Sequence, residues 1–257
     1  VAGFRNVLCP NAYVAHEGGV SFSEATQALM KAGAERLLAK HAEGKRSFTL
    51  VFTSSNHTPF EFPDGRIELY EQPKGTDNNA VKYTDYALGQ FVKKARSSDY
   101  WKDTVFVVVA DHDIRVRGDS LVPIERFHIP GLIFGADIPQ RKVKTVASQI
   151  DLAPTLLSLM GVDAKHPMIG RDLTREPDSL PGRAMMQYEQ NYAWMEGQKV
   201  VILRPGKEAS HADYDPARKH LTTAAQPPEN GKAMEERALA HVQLGAWLYR
   251  SQLYRLP

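Results

Sequence analysis

The stretch that most constrains the fold is Thr104-Val105-Phe106-Val107-Val108-Val109-Ala110, which stops abruptly at Asp111-His112-Asp113. Six consecutive apolar residues, four of them valine, predict a strand buried on both faces, of the kind that sits mid-sheet in an α/β protein. Ligands bind at the carboxyl ends of such strands in open α/β sheets. A carboxylate and an imidazole side by side there can take a divalent cation directly. They can equally cap the strand and pair with the arginines that follow. This stretch alone leaves both readings open.

A second apolar run, Ser47-Phe48-Thr49-Leu50-Val51-Phe52-Thr53, also ends in polar residues: Ser54-Ser55-Asn56-His57-Thr58-Pro59-Phe60. If the two strands are parallel, both histidine-bearing loops meet at one sheet edge. The segment between them supplies the crossover, a predicted helix over residues 78–97 with Ala80, Thr84, Ala87, Leu88, Phe91 and Ala95 on one face. Residues 61–76, with Pro63-Asp64-Gly65 and Pro73-Lys74-Gly75, form a long turn-rich loop, a kind that is usually functional or mobile.

Upstream, residues 1–20 read as loop with one short strand. Ser21 or Ser23 then caps a helix running to about His41, with Glu24 in the first turn where the helix dipole favours an anion. Downstream, Gly131–Phe134 is a short strand. Asp151 caps a helix with Pro154 in its first turn and Gly161 at its stop. Residues 183–188 and 193–204 read as strands, with a turn at Glu196-Gly197. Residues 205–230 read as irregular. Met234, Ala238, His241, Val242, Gly245 and Leu248 then mark a final amphipathic helix that docks on the sheet.

The 257 residues are ample for one large α/β domain. A formal net charge of +2, with scattered Lys and Arg, provides no basic tract for nucleic acid. The lone cysteine, Cys9, excludes an intrachain disulfide and a multi-cysteine zinc site, and leaves the compartment open. No apolar run approaches the roughly 18–20 residues of a membrane span, and there is no signal peptide. The chain opens at Val1 without a methionine, so a fragment or processed product is expected.

Of nine histidines, His57, His112 and His128 adjoin apolar strands and can converge. His211, His220 and His241 lie in a polar loop or on a helix and carry little functional weight. No H-E-x-x-H, Walker A, G-x-S-x-G or Rossmann glycine pattern occurs. Asp111 and His112 supply two ligands, whereas a catalytic divalent site needs three or more plus an open position. On residue chemistry this is half an active site.

Val109-Ala110-Asp111-His112-Asp113, Ser55-Asn56-His57-Thr58-Pro59-Phe60 and Ser148-Gln149-Ile150-Asp151-Leu152-Ala153-Pro154-Thr155 together resemble the sulfatase-like domain of the lipoteichoic acid synthase family, in the alkaline phosphatase superfamily. His128-Ile129-Pro130 and Gly170-Arg171-Asp172-Leu173 fit the same pattern. The resemblance implies a mixed, mostly parallel central sheet flanked by helices, with a small C-terminal strand-and-helix subdomain. Residues 1–181 would be the C-terminal part of the catalytic domain, and 182–257 its last strands and docking helix. It implies a membrane-anchored enzyme whose catalytic domain faces the periplasm or the outside. Such an enzyme moves phosphoglycerol from phosphatidylglycerol, an anionic phospholipid, to a glycan or lipid-linked acceptor.

The resemblance further implies a metal site of threonine, glutamate and an Asp-His pair, commonly holding manganese, with magnesium or zinc as alternatives. Asp111 and His112 match that pair, and His57 matches a histidine that contacts the phosphoglycerol. Arg115 and His128 are candidate electrostatic partners of the transferred group. Asp113 stands where many members have glycine, a position from which it can orient His112 or an arginine. The threonine- and glutamate-bearing motifs and the membrane helices are not in this sequence, and a sheet lacking those strands would expose edges and apolar surface. Where the family tends to carry Trp-Gly, this chain has Glu17-Gly18-Gly19-Val20, so a contact from that tryptophan does not carry over.

Three function classes follow. The first is the phosphoglycerol transferase, working through a covalent threonine intermediate that an acceptor hydroxyl resolves. The second is a sulfatase or phosphodiesterase that resolves it with water; Cys9-Pro10-Asn11-Ala12 lacks the Cys/Ser-x-Pro-x-Arg form from which sulfatases make formylglycine. The third is a non-catalytic fragment.

Overall fold

The computed structural model of the chain describes residues 13–15, 22–113, 116–118, 120–175 and 180–255. The chain divides into two compact units, Val1–Thr104 with Gly135–Asp137, and Val105–Phe134 with Ile138–Pro257. Arg115, Cys9, His16, the capping position Ser21 and the segment Glu17-Gly18-Gly19-Val20 lie outside the described residues.

In the first unit, β1 (Tyr13–Ala15), α1 (Phe22–Ala42) and β2 (Thr49–Val51) form a strand–helix–strand crossover. The strands pair in parallel, with Tyr13 opposite Thr49 and Ala15 opposite Val51, the arrangement a helical connection permits. Leu29 of α1 is buried against Val51. At Gly33 a Cβ would sit 2.6 Å from the Val51 Cγ2, so glycine lets the helix lie close on the strand. The following α2 (Asp77–Arg96) is capped by the Thr76 hydroxyl, which accepts from the Asn79 N–H. Its buried face is Ala80, Tyr83, Ala87 and Ala95, and Lys93, Lys94 and Arg96 complement the dipole at its last turn.

The long loop ahead of α2 is anchored. Buried Asn79 accepts the Tyr70 N–H at 2.7 Å and donates to the Glu71 and Lys74 carbonyls at 2.8 and 3.1 Å. Phe62 stacks on Tyr83 with ring centroids 5.1 Å apart. One buried amide thus satisfies three backbone groups that a mobile loop would leave to water.

In the second unit, β3 (Phe106–Val109) pairs antiparallel with β4 (Gly131–Phe134), Val109 opposite Gly131. The predicted burial on both faces is only partial: Phe106 is buried, while Val107 and Val108 are half-buried. Val109 is 40% exposed and Leu132 56%, as Leu50 of β2 is at 44% in the first unit. Among the described residues each of these strands has one hydrogen-bonded neighbour, in a two-stranded sheet. After β4, α3 (Leu152–Leu159) ends at Gly161 with φ +63°, the left-handed stop expected of that glycine.

Five strands then form an antiparallel meander: β5 (Arg183–Tyr188), β6 (Asn191–Glu196), β7 (Lys199–Leu203), β8 (Ser210–Asp215) and β9 (His220–Thr223). One face buries Met186, Ala193, Met195, Val200, Ile202, Ala212 and Tyr214 against Val122 and Ile124. The alternate residues Trp194 and Val201 pack under Met234 and Ala238 of α4 (Gly231–Ser251). Two-residue alternation sends successive side chains to opposite faces, so both faces of this sheet are core.

The expectation that residues 205–230 are irregular is corrected by β8 and β9. Their sequences are polar, and β8 buries His211, whose Nε2 meets Glu235 Oε1 of α4 at 2.7 Å. A buried histidine matched by a carboxylate on another element produces no apolar run for periodicity to find. His211 is therefore part of the sheet–helix packing rather than a loop residue.

Among the described residues, the parallel pairing is β1–β2 and the other pairings are antiparallel. The molecule is an α/β protein with a C-terminal antiparallel sheet and helix, as expected. No described helix is long and apolar enough to cross a membrane.

Candidate active site

The site is built at the end of β3. The ladder continues one step past Val109, where the Ala110 N–H donates to the Pro130 carbonyl at 3.3 Å. Beyond that the chain bends. Asp111 Oδ1 accepts the His112 N–H at 2.9 Å, and His112 Nε2 lies 3.5 Å from Asp111 Oδ2. The other ring nitrogen, Nδ1, lies 3.0 Å from the Asp113 carbonyl. A carbonyl can only accept, so this contact calls for a proton on Nδ1, and Nε2 is the ring nitrogen turned to the carboxylate and open to a metal.

Asp111 and His112 are thus presented as adjacent oxygen and nitrogen donors, with side chains 54% and 59% exposed. That arrangement fits two ligands of a divalent cation, including the backbone hydrogen bond that fixes the tautomer of a ligating histidine. Among the described residues no cluster of three or more His, Cys, Asp or Glu is placed to hold a metal. Asp113 contributes its carbonyl to His112.

His128 follows the 3-10 turn Ile124–Phe127 and is exposed. It lies three residues before Gly131, and the β3–β4 register puts that end of β4 opposite the end of β3. The register therefore gathers Asp111, His112 and His128 at one end of the ribbon.

A third segment arrives there. The Gln149 side-chain amide donates to the Ala110 carbonyl at 3.0 Å and to the Asp111 carbonyl at 2.9 Å. Gln149 opens the 3-10 turn Gln149–Asp151, which Ser148 and Asp151 close as a capping box. Asp151 is fully buried and accepts the Ser148 and Arg171 N–H groups at 2.9 and 2.8 Å. The guanidinium groups of Arg171 and Arg183 lie 3.6 and 3.8 Å from it.

Each of these arginines follows a glycine. A Cβ at Gly170 would fall 1.8 Å from the Ile150 carbonyl oxygen, and one at Gly182 would fall 2.1 Å from that of Val146. The two Gly-Arg pairs bring backbone against backbone and let the arginines reach Asp151. Asp151 stands at the N-cap position of α3 but makes no capping hydrogen bond to that helix; its carboxylate instead closes the Ser148 capping box and ties the Gly170 and Gly182 segments to the turn that carries Gln149.

His57 belongs to the first unit and is exposed in the loop after β2. The loop is fixed on both sides of the histidine. The Ser55 and Thr26 hydroxyls, both buried, are hydrogen-bonded, and the Ser55 N–H donates to Thr26 Oγ1 at 3.3 Å. Thr84 of α2 donates to Asn56 Oδ1 at 3.1 Å. The His57 carbonyl accepts the Phe60 N–H at 2.7 Å, and the Thr58–Pro59 peptide is cis. Alongside runs a groove of about 440 Å³ lined by Pro59, Phe60, Glu61, Phe62, Lys74 and Gly75.

Thr26 carries no periodicity or pairing signal in the sequence, while Ser55 and Gln149 stand within the His57 and Asp151 motifs without marking themselves as ties.

The sulfatase family pattern matches residues 5–162. The lipoteichoic acid synthase of Staphylococcus saprophyticus is 26% identical over 169 residues, 57% of this chain and 26% of that protein. Phosphoglycerol transferase I of Xanthomonas campestris is 31% identical over 124 residues, 46% of this chain and 17% of the relative. The chain thus spans about a quarter or less of the length of these curated relatives. An alkaline phosphatase superfamily protein from Vibrio parahaemolyticus superposes with a TM-score of 0.85 at 38% identity, covering 96% of this chain and 67% of that one. The lipoteichoic acid synthase LtaP of Listeria monocytogenes shares the fold, with a TM-score of 0.73 at 17% identity over 96% of this chain and 70% of its own. With its Asp-His pair at a strand end and the sulfatase pattern over most of its first 162 residues, this chain belongs to the sulfatase family of the alkaline phosphatase superfamily.

Proposed function

We propose that this chain is the part of a phosphoglycerol transferase that carries the Asp-His half of a divalent metal site. The observation that carries the reading is the adjacent donor pair Asp111–His112, with His112 Nδ1 turned to a backbone carbonyl and Nε2 left beside the carboxylate. Relatives named lipoteichoic acid synthase and phosphoglycerol transferase I support the reaction class. The threonine nucleophile and the glutamate ligand would lie outside this chain. So would the membrane helices that hold the enzyme at the bacterial cell membrane, with this domain on the outer side.

Asp111 and His112 would hold the cation, manganese first and magnesium or zinc as alternatives. When bound, it supplies Lewis-acid polarisation of a phosphoryl oxygen. His57, held by its anchored loop, binds the phosphate or glycerol hydroxyls of phosphatidylglycerol, or carries a proton between donor and acceptor. Arg115 and His128 counter the charge of the group in transfer. The acceptor would be a glycan or lipid-linked hydroxyl.

The test uses the full-length protein, with phosphatidylglycerol as donor and bound manganese measured by mass spectrometry. Asp111→Ala and His112→Ala should each lose stoichiometric manganese and reduce phosphoglycerol release by roughly 100-fold or more, the scale expected when a metal's charge stabilisation is withdrawn. Unchanged metal content and release in both variants would remove the metal-site assignment. Turnover of sulfate esters in place of phosphatidylglycerol would favour the hydrolase reading, towards which the sulfatase pattern itself points.

A further inference from the structure

We propose that Gln149 is a positioning residue that sets the geometry of the Asp111–His112 donor pair. The inference rests on the reading of that pair as metal ligands. In an extended strand successive backbone units alternate in direction, so neighbouring carbonyls point to opposite sides. Here the carbonyls of Ala110 and Asp111 both converge on one side-chain amide, at 3.0 and 2.9 Å. That convergence marks the place where β3 stops being a strand. An amide nitrogen carries two hydrogens, one for each carbonyl, so the orientation of the Gln149 amide is fixed by what it meets. The carbonyl of Asp111 belongs to the residue whose carboxylate is the first donor. Its peptide unit continues into His112, the second.

Gln149 is itself held. It begins the turn that the Ser148–Asp151 capping box closes, and Asp151 is buried beneath Arg171 and Arg183. Rigidity therefore passes from a buried carboxylate, through a closed turn, to one amide, and from it to the backbone of the donor pair. Groups that hold metal ligands from behind typically contribute 10–100-fold in affinity. A side chain that only tidied the surface would leave metal affinity unchanged.

The experiment titrates MnCl2 into the full-length protein, reading free manganese by electron paramagnetic resonance, alongside melting of the metal-free protein. Gln149→Met keeps the length and removes both donors, and Gln149→Asn keeps the amide but shortens its reach. Both should bind manganese roughly 10–100-fold more weakly than the parent. Their metal-free melting temperatures should stay within about 4 °C, since only two surface hydrogen bonds are lost. Parental affinity in both variants overturns the inference. So does weakened binding that tracks a melting temperature lowered well beyond that range in both. Asp111→Asn separates the levels. If it abolishes binding while the Gln149 variants bind as the parent does, positioning fails and the metal site stands. If Asp111→Asn binds as the parent does, both fall.

Discussion

At the scale of single residues, the most consequential side chain besides the donor pair is Asp151. Its carboxylate is fully buried, accepts two backbone N–H groups and faces two guanidinium groups. A buried charge of this kind adds little beyond a well-packed apolar substitute, but deleting one partner leaves the others uncompensated, at about 3–5 kcal/mol. Asp151→Ala should therefore lower the free energy of unfolding by about that amount, read as a fall in the urea midpoint. A shift below about 1 kcal/mol would mean that Arg171 and Arg183 do not depend on it. The sequence placed Asp151 at the start of the following apolar helix, but its carboxylate serves the Ser148 capping box rather than that helix's own N–H groups. Its arginine partners lie 20 and 32 positions away, where no local pattern reaches.

At the scale of elements, α4 is joined to the sheet by apolar packing and by two polar ties, His211–Glu235 and Glu196–Arg237. Arg237 donates to both Glu196 oxygens, at 2.6 and 2.8 Å, and the Trp194 indole donates to the same carboxylate at 2.7 Å. Burial opposes ionisation of Glu196, yet the hydrogen bonds from Arg237 and Trp194 outweigh it and hold the carboxyl below its ordinary value of 4.5. A carboxyl depressed on folding contributes stability that is present above the unfolded value and lost as pH falls through the folded one. The parent should therefore be more stable than Glu196→Gln at neutral pH. The gap should begin to close as pH drops below about 4.5 and go on closing further into acid. Urea midpoints of both proteins between neutrality and acid measure it, and a gap independent of pH would deny the tie its ionic character. The helix was legible in the sequence from Met234 and Ala238, which are buried. Leu248, expected on the same face, is half-buried, while Gly245 is exposed.

At the scale of the whole molecule, the strands read as buried on both faces are left partly open. Leu50, Val109 and Leu132 lie on two-stranded sheets and are about half exposed, and Phe48 and Phe52 flank β2 in the same state. Two-stranded sheets are marginal by themselves, and apolar strands with free edges promote association. If the chain is, as proposed, part of a longer transferase, these 257 residues alone should bind a hydrophobic dye and self-associate on size exclusion, and the longer protein should do neither. An isolated chain that stays monomeric and leaves the dye dark would show that these strands need no further cover.

The sequence by itself determined the α/β class, the placement of α1 and α2, the strand that leads to Asp111-His112, and the chemistry that pair can offer. All of these are written in short-range patterns: runs of valine, caps, and a carboxylate next to an imidazole. Only the tertiary structure decided that β8 and β9 exist, that His211 is buried against Glu235, and that one amide from residue 149 closes on the end of β3. The last two are polar groups satisfied by partners far along the chain. Such pairings leave no periodicity, because what makes them stable is a hydrogen bond formed only once the segments have met.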